Sequence, residues 1–161
     1  MSTTWVEWPV VTTDVRWLDD SQQRAWRGFL DLHAQIAGRL HRDLQRTSGL
    51  SLSDYDILVH LTDVPEGRLR VLELADGLQW EKSRVSKQVA RMAVRNLVAK
   101  EECEEDGRGA YVALTPTGRR AIEEAAPAHV ELVQRLVFDA LAPAEVRTLA
   151  TIAEKILGRL D

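Results

Sequence analysis

From Lys82 to Lys100 the chain carries Lys82, Arg84, Lys87, Arg91, Arg95 and Lys100 and no acidic residue, in a protein whose net charge is −4. Threaded through that run, Val85, Val89, Met92 and Ala93 recur at the spacing of one helix face. The tract therefore has to be a helix with a buried stripe and a cationic solvent face. Its cations begin in the first turn, where the helix dipole disfavours them. Basic residues near a helix C-terminus would be an ordinary solvated arrangement, but that does not account for Lys82 and Arg84. Concentrated positive charge on an acidic protein is the footprint expected of phosphate binding. Ser83, Arg84, Ser86, Lys87, Gln88 and Arg91 lie off the apolar stripe, and these side-chain types hydrogen-bond base edges.

The flanks restrict the fold further. Before the basic tract, Val71, Leu74, Ala75 and Leu78 mark a helix of about two turns, broken over Gly77-Leu78-Gln79-Trp80. After it, Asn96 stands where a helix end needs a left-handed residue. Two strand-like runs follow, Val98–Cys103 and Ala110–Leu114, around a tip in which Arg108 sits between Gly107 and Gly109. Helix, short turn, helix and hairpin is the order of a winged helix-turn-helix.

Longer helices bracket this unit. Trp26, Phe29, Leu30, His33, Ile36, Ala37, Leu40 and Leu44 follow helical spacing from Asp19 to about Gly49, with Asp20 and Gln23 as an approximate capping box. Ser53 is the expected N-cap of a second helix that stops before Pro65, and Arg68–Val71 can form a short strand. Thr115-Pro116 reads as the N-cap and first residue of a fifth helix, which Pro127 should kink or break. A last helix begins near Pro143 and carries Val146, Leu149, Ile152, Ala153, Ile156, Leu157 and Leu160 on one face. The segment 1–18, with Trp5, Trp8, Pro9 and Trp17, reads as an arm packed on its own or a partner subunit.

Several function classes are excluded or disfavoured. At 161 residues, 45% hydrophobic and 29% charged, the chain can bury a core as one domain, or one domain with an oligomerisation arm. The single cysteine, Cys103, supports neither a disulfide framework nor a CxxC site. No apolar run is long enough to span a bilayer and the first residues lack a signal-peptide pattern, so a soluble cytoplasmic protein is expected. There is no GxSxG, P-loop, HExxH or dinucleotide fingerprint; neither an enzyme nor a cofactor is expected. His33, His41, His60 and His129 show no ligand spacing with one another, and no metal is expected.

The tract as a whole resembles the multiple-antibiotic-resistance regulator (MarR) family. The resemblance rests on Glu73-Leu74-Ala75; on Ser83, Val85, Ser86, Lys87, Val89 and Arg91; on Asp106 and Arg108; and on Val112, Leu114, Thr115, Gly118 and Arg119, all in the family's order. The helical order from residue 19 to 161 is similar as well. It implies a mainly α fold, a winged helix-turn-helix lobe over 51–115, and a helical dimerisation region from 19–50 and 116–161. It implies a homodimer on a pseudopalindromic operator in double-stranded DNA, read by Lys82, Ser83, Arg84, Ser86, Lys87, Gln88 and Arg91. By the same resemblance Arg108 enters the minor groove and Asp106 aims it. A narrow minor groove attracts arginine whatever the family; a solvated Asp/Arg turn pair is the plainer reading.

Family members also bind small aromatic effectors, and Trp26, His33, Tyr55 and Asp56 are the candidates here: polar tips on otherwise apolar helical faces. A histidine on such a face is more often a hydrogen-bonded core residue. Two features depart from the family. Asn96 replaces its usual glycine, and Glu101, Glu102, Glu104 and Glu105 surround the wing, where they repel phosphate unless they turn to a neighbouring subunit. A redox-responsive regulator using Cys103, a metal-responsive one, and a winged-helix interaction module without DNA binding stay open as alternatives. The acidic neighbours of Cys103 raise a thiol's pKa and so disfavour the first.

Overall fold

The computed structural model describes residues 15–102 and 110–160. In order the elements are α1 (Asp20–Ser48), α2 (Leu52–Thr62), β1 (Arg68–Arg70), α3 (Val71–Leu78), α4 (Lys82–Val94), β2 (Val98–Glu102), β3 (Ala110–Leu114), α5 (Pro116–Leu136), a 3-10 turn (Phe138–Ala140) and α6 (Pro143–Leu157). The chain is mainly α, as expected. Most of the arm and the tip of the hairpin, with Cys103, Asp106 and Arg108, lie outside the described residues. The chain divides into two compact units, residues 1–34 and 35–161.

In the first unit α1 opens on a capping box one residue earlier than its sequence pattern indicates. The Gln22 N–H donates to Asp19 Oδ1 at 2.8 Å, and the Asp19 N–H donates to Gln22 Oε1 at 3.1 Å. The Gln23 N–H instead makes the first helical bond, to the Asp19 carbonyl at 2.8 Å. Trp26 and Phe29 stack at 5.9 Å between ring centroids, and both stay exposed beside Leu30 and Leu32.

The second unit is built on one core. Leu44, Leu50, Ile57, Leu58, Leu61, Leu74, Val85, Val89, Met92, Val98 and Val112 are all buried there, and Ile122 and Ala125 of α5 join them. α2 is capped by Ser51, not by Ser53. The Asp54 N–H donates to Ser51 Oγ at 3.0 Å, and the Ser51 N–H donates to Asp54 Oδ2 at 2.8 Å. Both serines have an aspartate three residues on; the Ser51 start places the Asp54 carboxylate where α4 reaches it.

Between α3 and α4 the turn passes through Gln79 at φ 54°, a left-handed position. The chain leaves α4 through Asn96 at φ 57°, the expected left-handed end, and the Leu97 N–H closes on the Met92 carbonyl at 3.0 Å. The strands pair antiparallel in the order β1-β3-β2. Leu69 and Val112 are register partners, with Val112 fully buried, while Arg70 is opposite Tyr111 on the alternate face. There Arg68 and Arg70 lie over the Tyr111 ring at 4.9 and 5.2 Å.

The junction of sheet and α5 is tight. Thr115 Oγ1 donates to the Asn96 carbonyl at 2.6 Å and accepts from the Gly118 N–H at 2.9 Å. A Cβ on Gly118 would stand 2.0 Å from the Leu97 carbonyl oxygen, so only glycine fits. α5 passes through Pro127 without the break that residue suggests. Pro127 and Glu123, whose carbonyl loses its helical donor, are both exposed, so water can satisfy that carbonyl. α6 buries none of its residues, and Leu149, Ile152, Ile156 and Leu157 remain exposed along it.

Candidate nucleic-acid interface

Helix α4 is anchored by Val85, Val89 and Met92, each fully buried, and this fixes which residues turn outward. Lys82, Ser83, Arg84, Lys87 and Arg91 are exposed; Ser86 and Gln88 are half-buried. The two N-terminal turns therefore offer three cations, and Ser83 between them, to solvent. Docked in a major groove, the N-terminal turns of such a helix are the part that meets base edges.

The outward residues are not equivalent. The Arg84 guanidinium lies over the Trp80 ring, 3.8 Å from its centroid. Trp80 precedes the helix and packs against the core cluster. Arg91 reaches Gln88, donating to its Oε1 at 3.4 Å. The Gln88 amide is directed inward: its Nε2 donates to Asp54 Oδ1 at 2.7 Å. In the free protein the Gln88 donor group thus already satisfies a buried carboxylate.

Arg95 is also turned away from the cationic face. One guanidinium nitrogen donates to Asp54 Oδ2 at 2.8 Å and the other to the Gly49 carbonyl at 2.8 Å. Asp54 is 1% exposed and accepts from Ser51, Gln88 and Arg95. Burial alone would push its carboxyl up. Hydrogen bonds from Ser51 and Arg95, with the Arg95 charge, outweigh that and hold it below its ordinary value. This cluster ties α2 to α4. The sequence signal for it was the Ser51-x-x-Asp54 spacing; nothing local pointed to Arg95 as its partner, or to Trp80 as a support for Arg84.

Trp26 and His33 belong to the first unit. Tyr55 is buried and stacks on His129 of α5 at 4.2 Å between centroids. Burial, helped by the Asp56 charge, pushes its phenol up. Asp56 is next in sequence but is influenced by other neighbours: burial pushes its carboxyl up against the pull of His60 and Arg84. Successive helical residues point about 100° apart, so the two side chains leave α2 in different directions. His129 Nδ1 is buried with no hydrogen-bond partner among the described residues, and burial holds the imidazole below its ordinary value against the nearby Asp43 charge. Among the described residues no group of three or more His, Cys, Asp or Glu is placed to hold a metal ion. No described helix is long and apolar enough to cross a membrane.

Comparison with known proteins decides the lineage. AbsC of Streptomyces coelicolor, a MarR family transcriptional regulator, is 39% identical and superimposes with a TM-score of 0.84 over 91% of this chain and 98% of its own. The chain belongs to the MarR family. The family's sequence model matches residues 48–109. Sco3205 of Streptomyces coelicolor, a MarR family regulator solved in complex with DNA, is 34% identical with a TM-score of 0.87 over 92% of each chain. BldR of Sulfolobus solfataricus, at 22% identity and a TM-score of 0.75 over 87% of this chain and 96% of its own, shares the fold. No curated protein sequence matches. As a MarR-family chain the protein is a transcriptional regulator and not an enzyme, and α3 with α4 forms its helix-turn-helix.

Proposed function

We propose that the protein is a homodimeric, sequence-specific DNA-binding regulator, most simply a repressor, that acts on pseudopalindromic operators in the cytoplasm. The carrying observation is the outward cationic face of α4, with Lys82, Ser83, Arg84, Lys87 and Arg91 exposed from its first turn. Ser86 stands at its edge, and Asp106 and Arg108 of the wing tip complete the set by family resemblance. The DNA complex of Sco3205, at 34% identity, supports the same use of the fold here. In this reading residues 51–115 form the DNA-binding lobe, 19–50 and 116–161 the dimerisation region, and 1–18 an arm.

The dimer follows from apolar cover. Trp26, Phe29, Leu30 and Leu32 on α1, and Leu149, Ile152, Ile156 and Leu157 on α6, are exposed in a single chain. A second copy buries such faces isologously and sets two recognition helices about 34–36 Å apart, one turn of DNA. An aromatic effector drawn to residues among Trp26, His33, Tyr55 and Asp56 then lowers DNA affinity by favouring a dimer with the wrong spacing. The His129 Nδ1 beside Tyr55, which has no hydrogen-bond partner among the described residues, supports that region for the first mutations.

The test is fluorescence anisotropy with DNA from the gene's own upstream region, over a range of salt. Expected are nanomolar-range binding to an inverted repeat, a dimer by sedimentation, and log affinity falling with log salt by about 0.9 per phosphate contact. Absence of any DNA binding at low salt, with a folded dimer, would favour the interaction-module alternative. Titrating phenolic acids against the complex tests the effector; one that releases operator about 5–150-fold fits ordinary allosteric coupling.

A further inference from the structure

Trp80 belongs to neither of the helices it joins, yet its position is tightly determined. The left-handed Gln79, at φ 54°, swings the chain out of α3. The Trp80 N–H then returns to the Ala75 carbonyl at 2.9 Å, closing the end of α3. The indole packs against the core and is half-buried, so one part of it is fixed by the fold while another meets Arg84. Arg84 stands four residues later, in the first turn of α4, with its guanidinium carbon 3.8 Å above the ring.

A guanidinium that packs on a ring through its face keeps its N–H edge available for other partners. Among the described residues Arg84 makes no hydrogen bond or ion pair, although its charge acts on the Asp56 carboxyl, whereas Arg91 donates to Gln88 and Arg95 to Asp54. An arginine stacked on an aromatic face, with an unoccupied edge, is prepared for bidentate donation to guanine O6 and N7. Held in advance, it loses less rotamer freedom on docking than an arginine waving in solvent.

We infer that Trp80 is a positioning residue for DNA reading: it fixes the plane of Arg84, and through Arg84 it sets the preference for guanine at one position of each half-site. This rests on the DNA-binding role proposed for α4. Trp80 itself touches no DNA in this scheme. Its effect must therefore vanish when Arg84 is absent, and it must fall on specific more than on non-specific binding, since non-specific affinity comes from summed phosphate charge.

The experiment is a double-mutant cycle on the full-length protein. Wild type, Trp80→Leu, Arg84→Ala and the double variant are titrated against the operator, against the operator with the contacted guanine pair replaced, and against random duplex DNA at matched salt. Trp80→Leu keeps an apolar side chain against the core and removes only the aromatic face. The expected result is a ~2- to 10-fold loss of operator affinity for Trp80→Leu. Random-DNA affinity should be unchanged, and no further loss should appear in the Arg84→Ala background. Trp80→Phe, which restores an aromatic face, should recover most of the loss. Equal losses from Trp80→Leu with and without Arg84 would overturn the inference and leave Trp80 as a packing residue. So would an equal loss on random DNA. Where Trp80→Leu does not fold, Trp80→Met, a longer apolar side chain without an aromatic face, supplies the cycle in both Arg84 backgrounds, and no coupling there overturns the inference equally. If wild type binds no operator at all, the DNA-binding role itself fails; if it binds and the cycle shows no coupling, only the positioning role does.

Discussion

Replacing Arg95 with methionine tests the reading that it is a structural partner of Asp54 and not a DNA contact. The Asp54 carboxylate is 1% exposed and holds three donors: the Ser51 N–H at 2.8 Å, Gln88 Nε2 at 2.7 Å and the Arg95 guanidinium at 2.8 Å. Breaking a fully buried ion pair by removing one partner costs about 3–5 kcal/mol. Here the Arg95 side chain is 41% exposed, so water can reach the vacated oxygen, and two donors remain. Arg95→Met should therefore cost less, about 2–3 kcal/mol, the worth of a charge-assisted hydrogen bond plus partial desolvation. The pH dependence has a definite sign. Asp54 has its carboxyl held below the ordinary value of 3.8, so its stabilisation is complete above that value and is lost as pH falls through the lower folded value. Without Arg95 the carboxyl moves up, so the variant's deficit should be largest near neutral pH and shrink as Asp54 protonates. Urea unfolding followed by circular dichroism, at fixed protein concentration and at pH 7 and below 4, measures both. A deficit that is equal at the two pH values would refute the charge argument. The salt dependence of DNA binding should be unchanged in the folded variant; a reduced salt slope would instead place Arg95 on a phosphate.

Gly118→Ala should destabilise by at least about 1–3 kcal/mol, the cost of overpacking, because its Cβ meets the Leu97 carbonyl at 2.0 Å; a thermal melt equal to wild type refutes the closeness of that junction. Gln79→Gly should stabilise, since a left-handed non-glycine residue costs about 1–2 kcal/mol and glycine gives back only about 0.5–1 in entropy. Asn96→Gly should gain less, as Asn tolerates φ 57° and donates to Thr117 Oγ1 at 3.3 Å; the reverse order in melting temperature refutes this. Lys87→Ala should weaken binding to all sequences and reduce the salt slope by about 0.9 if it contacts one phosphate. Asp106→Ala should lower operator affinity if that carboxylate aims Arg108, although it removes a negative charge beside DNA; a gain on titration rules the aiming role out.

Much of the architecture could be read from the chain because local rules and tertiary packing agree there. Asn96 ends α4 and Thr115-Pro116 starts α5 as the capping chemistry indicates, and Val85, Val89 and Met92 are the buried stripe their spacing marked. Where two local solutions were equivalent, distant partners chose between them. Ser51 and Ser53 both precede an aspartate by three, and Gln88 and Arg95 select the first. Periodicity shows which face a residue is on, but not what that face meets; hence Arg95 reads as one more surface cation, although its partner is 41 residues away. Trp80 lies outside any periodic pattern, so its support of Arg84 had no signal.

The seam at Leu97, Thr115 and Gly118 has a mechanical consequence. With a Cβ at Gly118 excluded by a 2.0 Å approach and Thr115 clamped to the Asn96 carbonyl at 2.6 Å, the root of α5 has no slack against the strand that follows α4. α5 runs on from that root for 21 residues, a lever of about 30 Å at 1.5 Å per residue. A displacement of a few ångströms at the far end would correspond to a rotation of about 5° about that root.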